Sequence, residues 1–332
     1  MEIRELVEQE LGSPIDQLFA EWDDVPIASA SIGQVHRAAM ADGREVAVKV
    51  QHPGIARAVE SDLANASILE SFVGVLGGRR FDSRSMLQVV KERFREELDY
   101  VREAESIRTF ARLHAGDAAV LIPELVTERS SARVLTTGMA RGATFEQACE
   151  APEADREAWA RTLWRFVFKG TLVGGLLNAD PHPGNYVFHD GGRVTFLDYG
   201  CIQPLGDRQR TAGRVHRAAL ARDEAEFSRA VAVMVASKPG ALEDLAVSYT
   251  RECFSPLFDS PYRVTKPFAA KLVDGMRDMA VAARKVPDAE FFTMPPEMLF
   301  VNRLQFGFYS VLARLDVEVD FAAVERQFVP PA

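Results

Sequence analysis

Residues 178–200 read NADPHPGNYVFHDGGRVTFLDYG. Asp180, Asn185 and Asp198 fall close together there, among Pro181, Pro183, Gly184 and Gly200. Before this stretch stands a hydrophobic helical pattern, and within it YVFH and RVTFLD read as short strands split by a DGG turn. Carboxylates and an amide on turns beside strands suit a metal or a phosphate. Asp180 and Asn185 are spaced D-x-x-x-x-N, and Asp198 opens D-x-G at a strand end. That is the spacing of kinase-type phosphoryl transfer. An Asp near the acceptor orients or deprotonates the nucleophile, while an Asn and a second Asp give hard oxygen ligands to Mg²⁺. Each residue alone is more simply read as a turn residue; the set, in order, favours the chemistry. His182 and His189 invite zinc, but their spacing fits no finger or helical site and no third ligand is apparent.

Working outward, EVAVKV over 45–50 alternates polar and apolar residues, and VHRAAM lies upstream across an Ala-Asp-Gly connection. This predicts a hairpin. The strand resembles the V-A-I-K element whose Lys pairs the ATP phosphates, which singles out Lys49. A Lys in an apolar strand needs a carboxylate partner. A charged helix expected over Ser85–His114 offers Glu96, Glu97, Asp99, Glu103 and Glu105, several of them no more than a solvated face. Further helices are expected over 2–11, 14–22 and 54–76, the last stopped by Gly77-Gly78. LIPELVTE and ARVLTTGM read as strands, ARGAT as a connector, and WARTLWRFVFKGTLVGGLL as a buried helix. Beyond Leu205 the pattern is nearly all helical, with breaks at Lys238-Pro239-Gly240, Ser260-Pro261 and Pro295-Pro296.

Bulk properties narrow the class. A chain of 332 residues suits two lobes. Net charge is −9 with no Lys/Arg block, which argues against a nucleic-acid partner. Cys149, Cys201 and Cys253 are odd in number and far apart, as for free thiols in a reducing compartment. The acidic, amphipathic N-terminus is unlike a signal peptide. The longest apolar windows fall short of the ~20 residues a membrane span needs. A cytoplasmic protein is expected, with peripheral membrane contact open.

Five motifs in order, IASASIGQVHRA, VAVKVQHPGI, EELDYVREAE, ADPHPGN and FLDYG, resemble the UbiB (AarF-like) family of atypical, protein-kinase-like proteins, some of which support ubiquinone biosynthesis. The likeness covers residues 1–205. It implies an α+β, two-lobed protein-kinase-like fold: an N-lobe over 1–140 and a mainly helical C-lobe over 141–332. It also implies ATP and Mg²⁺ as cofactors. An Ala-rich loop, Ala28-Ser29-Ala30-Ser31-Ile32-Gly33-Gln34, stands where a Gly-rich loop would cover the nucleotide. Its side chains limit how closely backbone N–H groups approach phosphates.

By the same resemblance, Lys49 pairs the phosphates, Glu103 is its helix partner, and Glu97-Leu98-Asp99 is the family's E-x-D motif. Asp180 is the catalytic-loop Asp, and Asn185 and Asp198 are the metal ligands. The hinge that binds adenine falls at Thr137-Gly138-Met139-Ala140, with Gly138 where an acidic residue is frequent. The family's K-x-G-Q extension has no counterpart in the sequence. The stripe Ile3, Leu6, Val7, Leu11, Ile15, Leu18, Phe19 and Trp22 is therefore expected to pack on its own lobe. The cleft facing Asp180 would then stay open to a protein partner, an isoprenoid lipid or a quinone precursor. Three readings remain: a UbiB-type kinase or ATPase, a small-molecule phosphotransferase like the aminoglycoside and choline kinases, and a nucleotide-gated binding protein without catalysis.

Overall fold

The computed structural model describes residues 3–64, 95–287, 291 and 298–329. The end of the helix expected over 54–76, its Gly-Gly stop, the start of the helix expected over 85–114 and the Pro295-Pro296 break lie outside them. The chain forms two compact units, one of residues 1–115, 122–141 and 197–201, the other of 116–121, 142–196 and 202–332.

The first unit is built on an antiparallel sheet of β1 (Glu21–Trp22), β2 (Ala28–Ser29), β3 (Gly33–Ala39), β4 (Glu45–Gln51) and β6 (Val134–Gly138). Its order is β1-β3-β4-β6, with β2 also on β3. The expected hairpin is β3–β4, with Val35 opposite Lys49. Asp42 shapes its turn by accepting the Arg44 N–H at 3.0 Å. Successive side chains of a strand point to opposite faces. In β4, Val46, Val48 and Val50 enter the core, at 1%, 0% and 0% exposure, and Lys49 takes the other face. Helices α1 (Ile3–Leu11) and α2 (Ile15–Leu18) close that core. Leu6, Val7, Ile15, Leu18 and Phe19 pack with the β4 valines, and Ile3, Leu11 and Trp22 pack against them. The N-terminal apolar stripe thus lies on its own unit. The helix expected over 14–22 ends early, because Phe19 turns extended and Trp22 pairs with Ala38 at the sheet edge.

Helix α3 (Ile55–Ala64) follows β4, and α4 (Tyr100–Leu113) covers the sheet. The helix expected to run unbroken to His114 is interrupted at Leu98-Asp99. Asp99 leaves helical geometry and N-caps α4, accepting the Arg102 N–H. Gln51, 2% exposed, fixes the break by donating to the Leu98 carbonyl at 2.6 Å. Tyr100, Glu103, Ala104, Ile107 and Phe110 form the buried stripe of α4, at helical spacing.

The second unit surrounds α6 (Glu153–Leu172), which α5 (Phe145–Cys149) precedes. Helix α6 is buried on most sides, as its sequence predicts. Beside it lie β8 (Tyr186–His189) and β9 (Arg193–Phe196), with β5 (Val120–Leu121) parallel to β9. Of LIPELVTE only Leu121 joins that strand, with one isolated bridge from Leu125 to Thr137, and Pro123 cannot donate to a ladder. Phe166 stacks on Phe196 at 3.6 Å between ring centroids, and Trp159 Nε1 donates to the His189 carbonyl at 2.8 Å. β7 (Leu176–Asn178) pairs with β10 (Ile202–Pro204). The rest is helical: α7 (Arg208–Ala221), α8 (Glu224–Val235), α9 (Ala241–Cys253), α10 (Ser255–Phe258), α11 (Lys266–Ala283), α12 (Met298–Leu315) and α13 (Phe321–Glu325). β11 (Tyr262–Arg263) pairs with β12 (Glu318–Val319), strands too short to leave an alternating pattern in the sequence. Among the described residues, no helix is long and apolar enough to cross a membrane.

Candidate active site

Each unit carries one cluster of the predicted residues. In the first, Lys49 Nζ lies 3.0 and 2.9 Å from the two carboxylate oxygens of Glu103 and 3.7 Å from Asp198 Oδ2. Strand β4 delivers the lysine, α4 delivers the glutamate three residues past its Asp99 cap, and the turn after β9 delivers Asp198. The ammonium also stands over the Tyr100 ring, 5.1 Å from its centroid, a cation–π contact. Burial by itself would pull Lys49 down, but Glu103 first and Asp198 second outweigh it and hold the ammonium above the ordinary lysine range. Burial pushes Glu103 up; Lys49 opposes that rise and Asp198 adds to it. Lys49 therefore stays cationic, shared between two carboxyl groups.

Asp198 does two jobs. Its Oδ1 accepts the Gly200 N–H at 2.9 Å, the turn-closing role of an Asx turn. Its Oδ2 faces Lys49. The turn-residue reading of Asp198 is realised on Oδ1, while Oδ2 is turned to the lysine.

The Ala-rich loop begins on β2 and returns on β3. The Ala30 N–H donates to the Gly33 carbonyl at 2.8 Å, and Ala28, Ser29, Ala30 and Ser31 are exposed. Gly33 is obligatory at the base. A Cβ there would lie 2.5 Å from the Val50 carbonyl oxygen and 2.9 Å from the Tyr100 hydroxyl. Tyr100 is 1% exposed and its hydroxyl has no hydrogen-bond partner. The adjacent Gln34 meets His36 Nε2 at 2.8 Å. In the segment 137–140, the Gly138 N–H donates to the Glu124 carbonyl and the Met139 N–H to the Glu45 carbonyl. Those two donors are spent within the protein. Thr137 sits inside β6, and Ala140 follows the strand. Of the E-x-D motif, Asp99 is a helix cap, and Glu97 lies half-buried just before it.

In the second unit, Asp180 follows β7 and is placed by its own loop. Its N–H donates to Asn178 Oδ1 at 3.2 Å, and the His182 N–H donates to its carbonyl at 2.8 Å. A 3₁₀ turn over Pro183–Asn185 brings Asn185 back. Asn185 Nδ2 donates to both the carbonyl and Oδ2 of Asp180, each at 3.1 Å. That leaves Oδ1 as the atom of Asn185 suited to a hard cation. The other Asp180 oxygen is taken by a residue the motifs do not reach. Arg303 of α12 donates through Nη2 to Oδ1 at 2.7 Å. The same helix approaches the loop closely: a Cβ on Gly307 would lie 2.5 Å from Pro181 Cγ. His182 serves the loop by accepting the Gly184 N–H, and His189 bonds Thr195. Among the described residues, no group of three or more His, Cys, Asp or Glu could hold a metal ion. Taken singly, the Asp198 carboxylate and the Asn185 amide oxygen are of the hard-oxygen type that suits Mg²⁺.

A lysine on the central hairpin paired with a helix glutamate, a D-x-x-x-x-N loop and a D-x-G turn define a kinase-like protein. Residues 1–233 match the ABC1 atypical kinase-like domain, and the chain belongs to that family, consistent with the UbiB/AarF resemblance. It is 28% identical to the atypical kinase coq-8, mitochondrial, of Caenorhabditis elegans, over 93% of this chain and 41% of the relative. It is 33% identical to the atypical kinase COQ8B, mitochondrial, of Rattus norvegicus, over 62% of this chain and 39% of the relative. The chain thus spans less than half the length of these curated relatives. Among solved structures, the Rv3197–erythromycin complex of Mycobacterium tuberculosis superposes with a TM-score of 0.76 at 23% identity, covering 99% of this chain and 82% of that one. That likeness shows the two-lobed kinase-like fold.

Proposed function

We propose that this chain binds Mg-ATP and transfers or hydrolyses its γ-phosphoryl group. The observation that carries the reading is Lys49 held between Glu103 and Asp198. A half-buried ammonium fixed on a central strand is the group that phosphate oxygens need. When bound, the metal neutralises charge between the phosphates. Asp198 and Asn185 are the residues that would hold it, Lys49 pairs the phosphates, and Asp180 orients the attacking oxygen. The exposed Ala-rich loop would cover a bound nucleotide, and the backbone of 137–140 would take adenine. Because Gly138 and Met139 have spent their N–H groups, adenine recognition falls on carbonyls and on residues after Met139. The family resemblance extends the reading to isoprenoid quinone or lipid metabolism, with an isoprenoid lipid or quinone precursor as partner and contact at a membrane surface.

A second reading, a nucleotide-gated binding protein with slow or no chemistry, is favoured by the Arg303–Asp180 pair, which occupies the residue that catalysis requires. Steady-state ATP consumption by the wild type and Asp180→Asn, with and without isoprenoid lipid, separates the two. Turnover that depends on Asp180 supports an enzyme. Mg-nucleotide binding without any Asp180-dependent turnover supports a gated binder.

A further inference from the structure

Tyr100 is the first residue of α4, three before Glu103. Its ring lies beneath the Lys49 ammonium, 5.1 Å from centroid to Nζ. Its hydroxyl lies at the base of the Ala-rich loop, 2.9 Å from where a Cβ on Gly33 would stand. The residue is 1% exposed, and the hydroxyl is buried with no hydrogen-bond partner. Buried polar groups are nearly always paired, because an unmade bond leaves their desolvation uncompensated. A phenylalanine ring would give Lys49 the same kind of cation–π contact. The hydroxyl is therefore surplus to the lysine and costly to the free protein. Beside it, the Gly33 carbonyl accepts the Ala30 N–H at 2.8 Å, a bond that closes the loop on itself. While that bond holds, the N–H of the exposed Ala30 is withheld from any phosphate.

We propose that Tyr100 is a positioning residue for nucleotide binding by the Ala-rich loop. Its hydroxyl donates to the Gly33 carbonyl once the Ala30 N–H turns from that carbonyl to a phosphate oxygen. The exchange leaves no group stranded: the carbonyl keeps a donor, the N–H gains an anionic acceptor, and the hydroxyl gains the partner it lacks in the free protein. Tyr100 acts through the loop and not by touching the nucleotide, as its burial requires. Such a device suits a loop whose side chains limit how closely backbone N–H groups approach phosphates, since each N–H that does reach one must first be released from the loop itself. The inference rests on the Mg-ATP reading above and adds to it a residue that neither pairs the phosphates nor holds the metal.

Tyr100→Phe, made in the full chain, keeps the ring over Lys49 and removes only the hydroxyl. Two effects of opposite sign are expected. Without nucleotide, the uncompensated hydroxyl is gone, so the melting temperature should rise by about 2–4 °C. Mg-ATP, titrated by calorimetry, should bind about three- to tenfold more weakly than to the wild type, the worth of one neutral hydrogen bond. A residue that merely fills space would lower the first quantity and leave the second alone. The proposal is overturned if Tyr100→Phe melts at or below the wild-type temperature, because the hydroxyl then has a partner in the free protein. It is also overturned if the variant binds Mg-ATP as tightly as the wild type. A wild type that binds no Mg-ATP overturns the nucleotide reading and this inference together, so the wild-type titration tells the two failures apart.

Discussion

Arg303 and Asp180 stand 123 residues apart in sequence and 2.7 Å apart in space, Nη2 to Oδ1. The arginine comes from a helix outside every motif of the active site. With Asn185 on the other oxygen, both acceptor atoms of Asp180 are engaged. An incoming hydroxyl or water has to share one of them.

Replacing Arg303 by Gln should therefore raise basal ATP turnover. The guanidinium is about half exposed, so solvent screens the pair and the gain should be modest, about two- to fivefold in kcat with little change in nucleotide Kd. A fall in kcat would assign Arg303 to catalysis instead of restraint.

Asp198→Asn and Asp180→Asn should separate binding from turnover. The first removes the carboxylate proposed to hold the metal and should abolish Mg-dependent nucleotide binding in calorimetry. The second should leave binding within about threefold and lower kcat by about 10²–10⁴, the usual worth of a general base. Equal losses of affinity in both variants would show the two roles to be misassigned.

Glu103→Gln keeps the shape of the Lys49 pair and removes its charge. Glu103 is 3% exposed, and unbalancing a buried pair is costly, about 3–5 kcal/mol when a charge is left without its partner. Asp198 still faces Lys49, so a loss near the lower end is expected, together with at least tenfold weaker nucleotide binding. Chemical denaturation and nucleotide titration check the two separately. Unchanged values in both would make the pair irrelevant.

Glu10 ties α1 to the sheet, accepting from Ser131 Oγ at 2.6 Å and Arg133 Nε at 2.9 Å. Burial raises its pKa, but those bonds outweigh burial and hold it below the ordinary 4.5. A depressed carboxylate stabilises the fold above its unfolded pKa, and that contribution is lost as pH falls through the folded value. Melting temperature should drop between pH 6 and pH 3 for the wild type, and by a smaller amount for Glu10→Gln. Equal drops would remove Glu10 from the account.

How legible was this in the sequence? The β3–β4 hairpin was, because alternation and an Asp-Gly turn act over a dozen residues. The burial of α6 and of the N-terminal stripe was, because apolar side chains fill the faces that pack. The Lys49–Glu103 contact was legible only through motif resemblance, since several acids competed for the lysine. The break before α4 was not: it hangs on one cap at Asp99 and one bond from Gln51 across the sheet. Trp22 was misread as helical because its strand exists only where β3 offers an edge. Arg303 carried no local signal at all. Its partner is set by where α12 packs, and Gly307 against Pro181 marks that approach only once the fold is known.

The shared ammonium of Lys49 has a thermodynamic consequence for ligand order. Two carboxyl groups already claim its single charge, so this cluster presents no surplus of positive potential. A bare nucleotide polyanion would meet Asp198 before it gained anything from Lys49. A divalent cation, if held by Asp198 as proposed, would reverse that balance and leave Lys49 to the phosphates. Nucleotide and metal affinities should thus be linked by a large coupling free energy, each ligand scarcely retained alone.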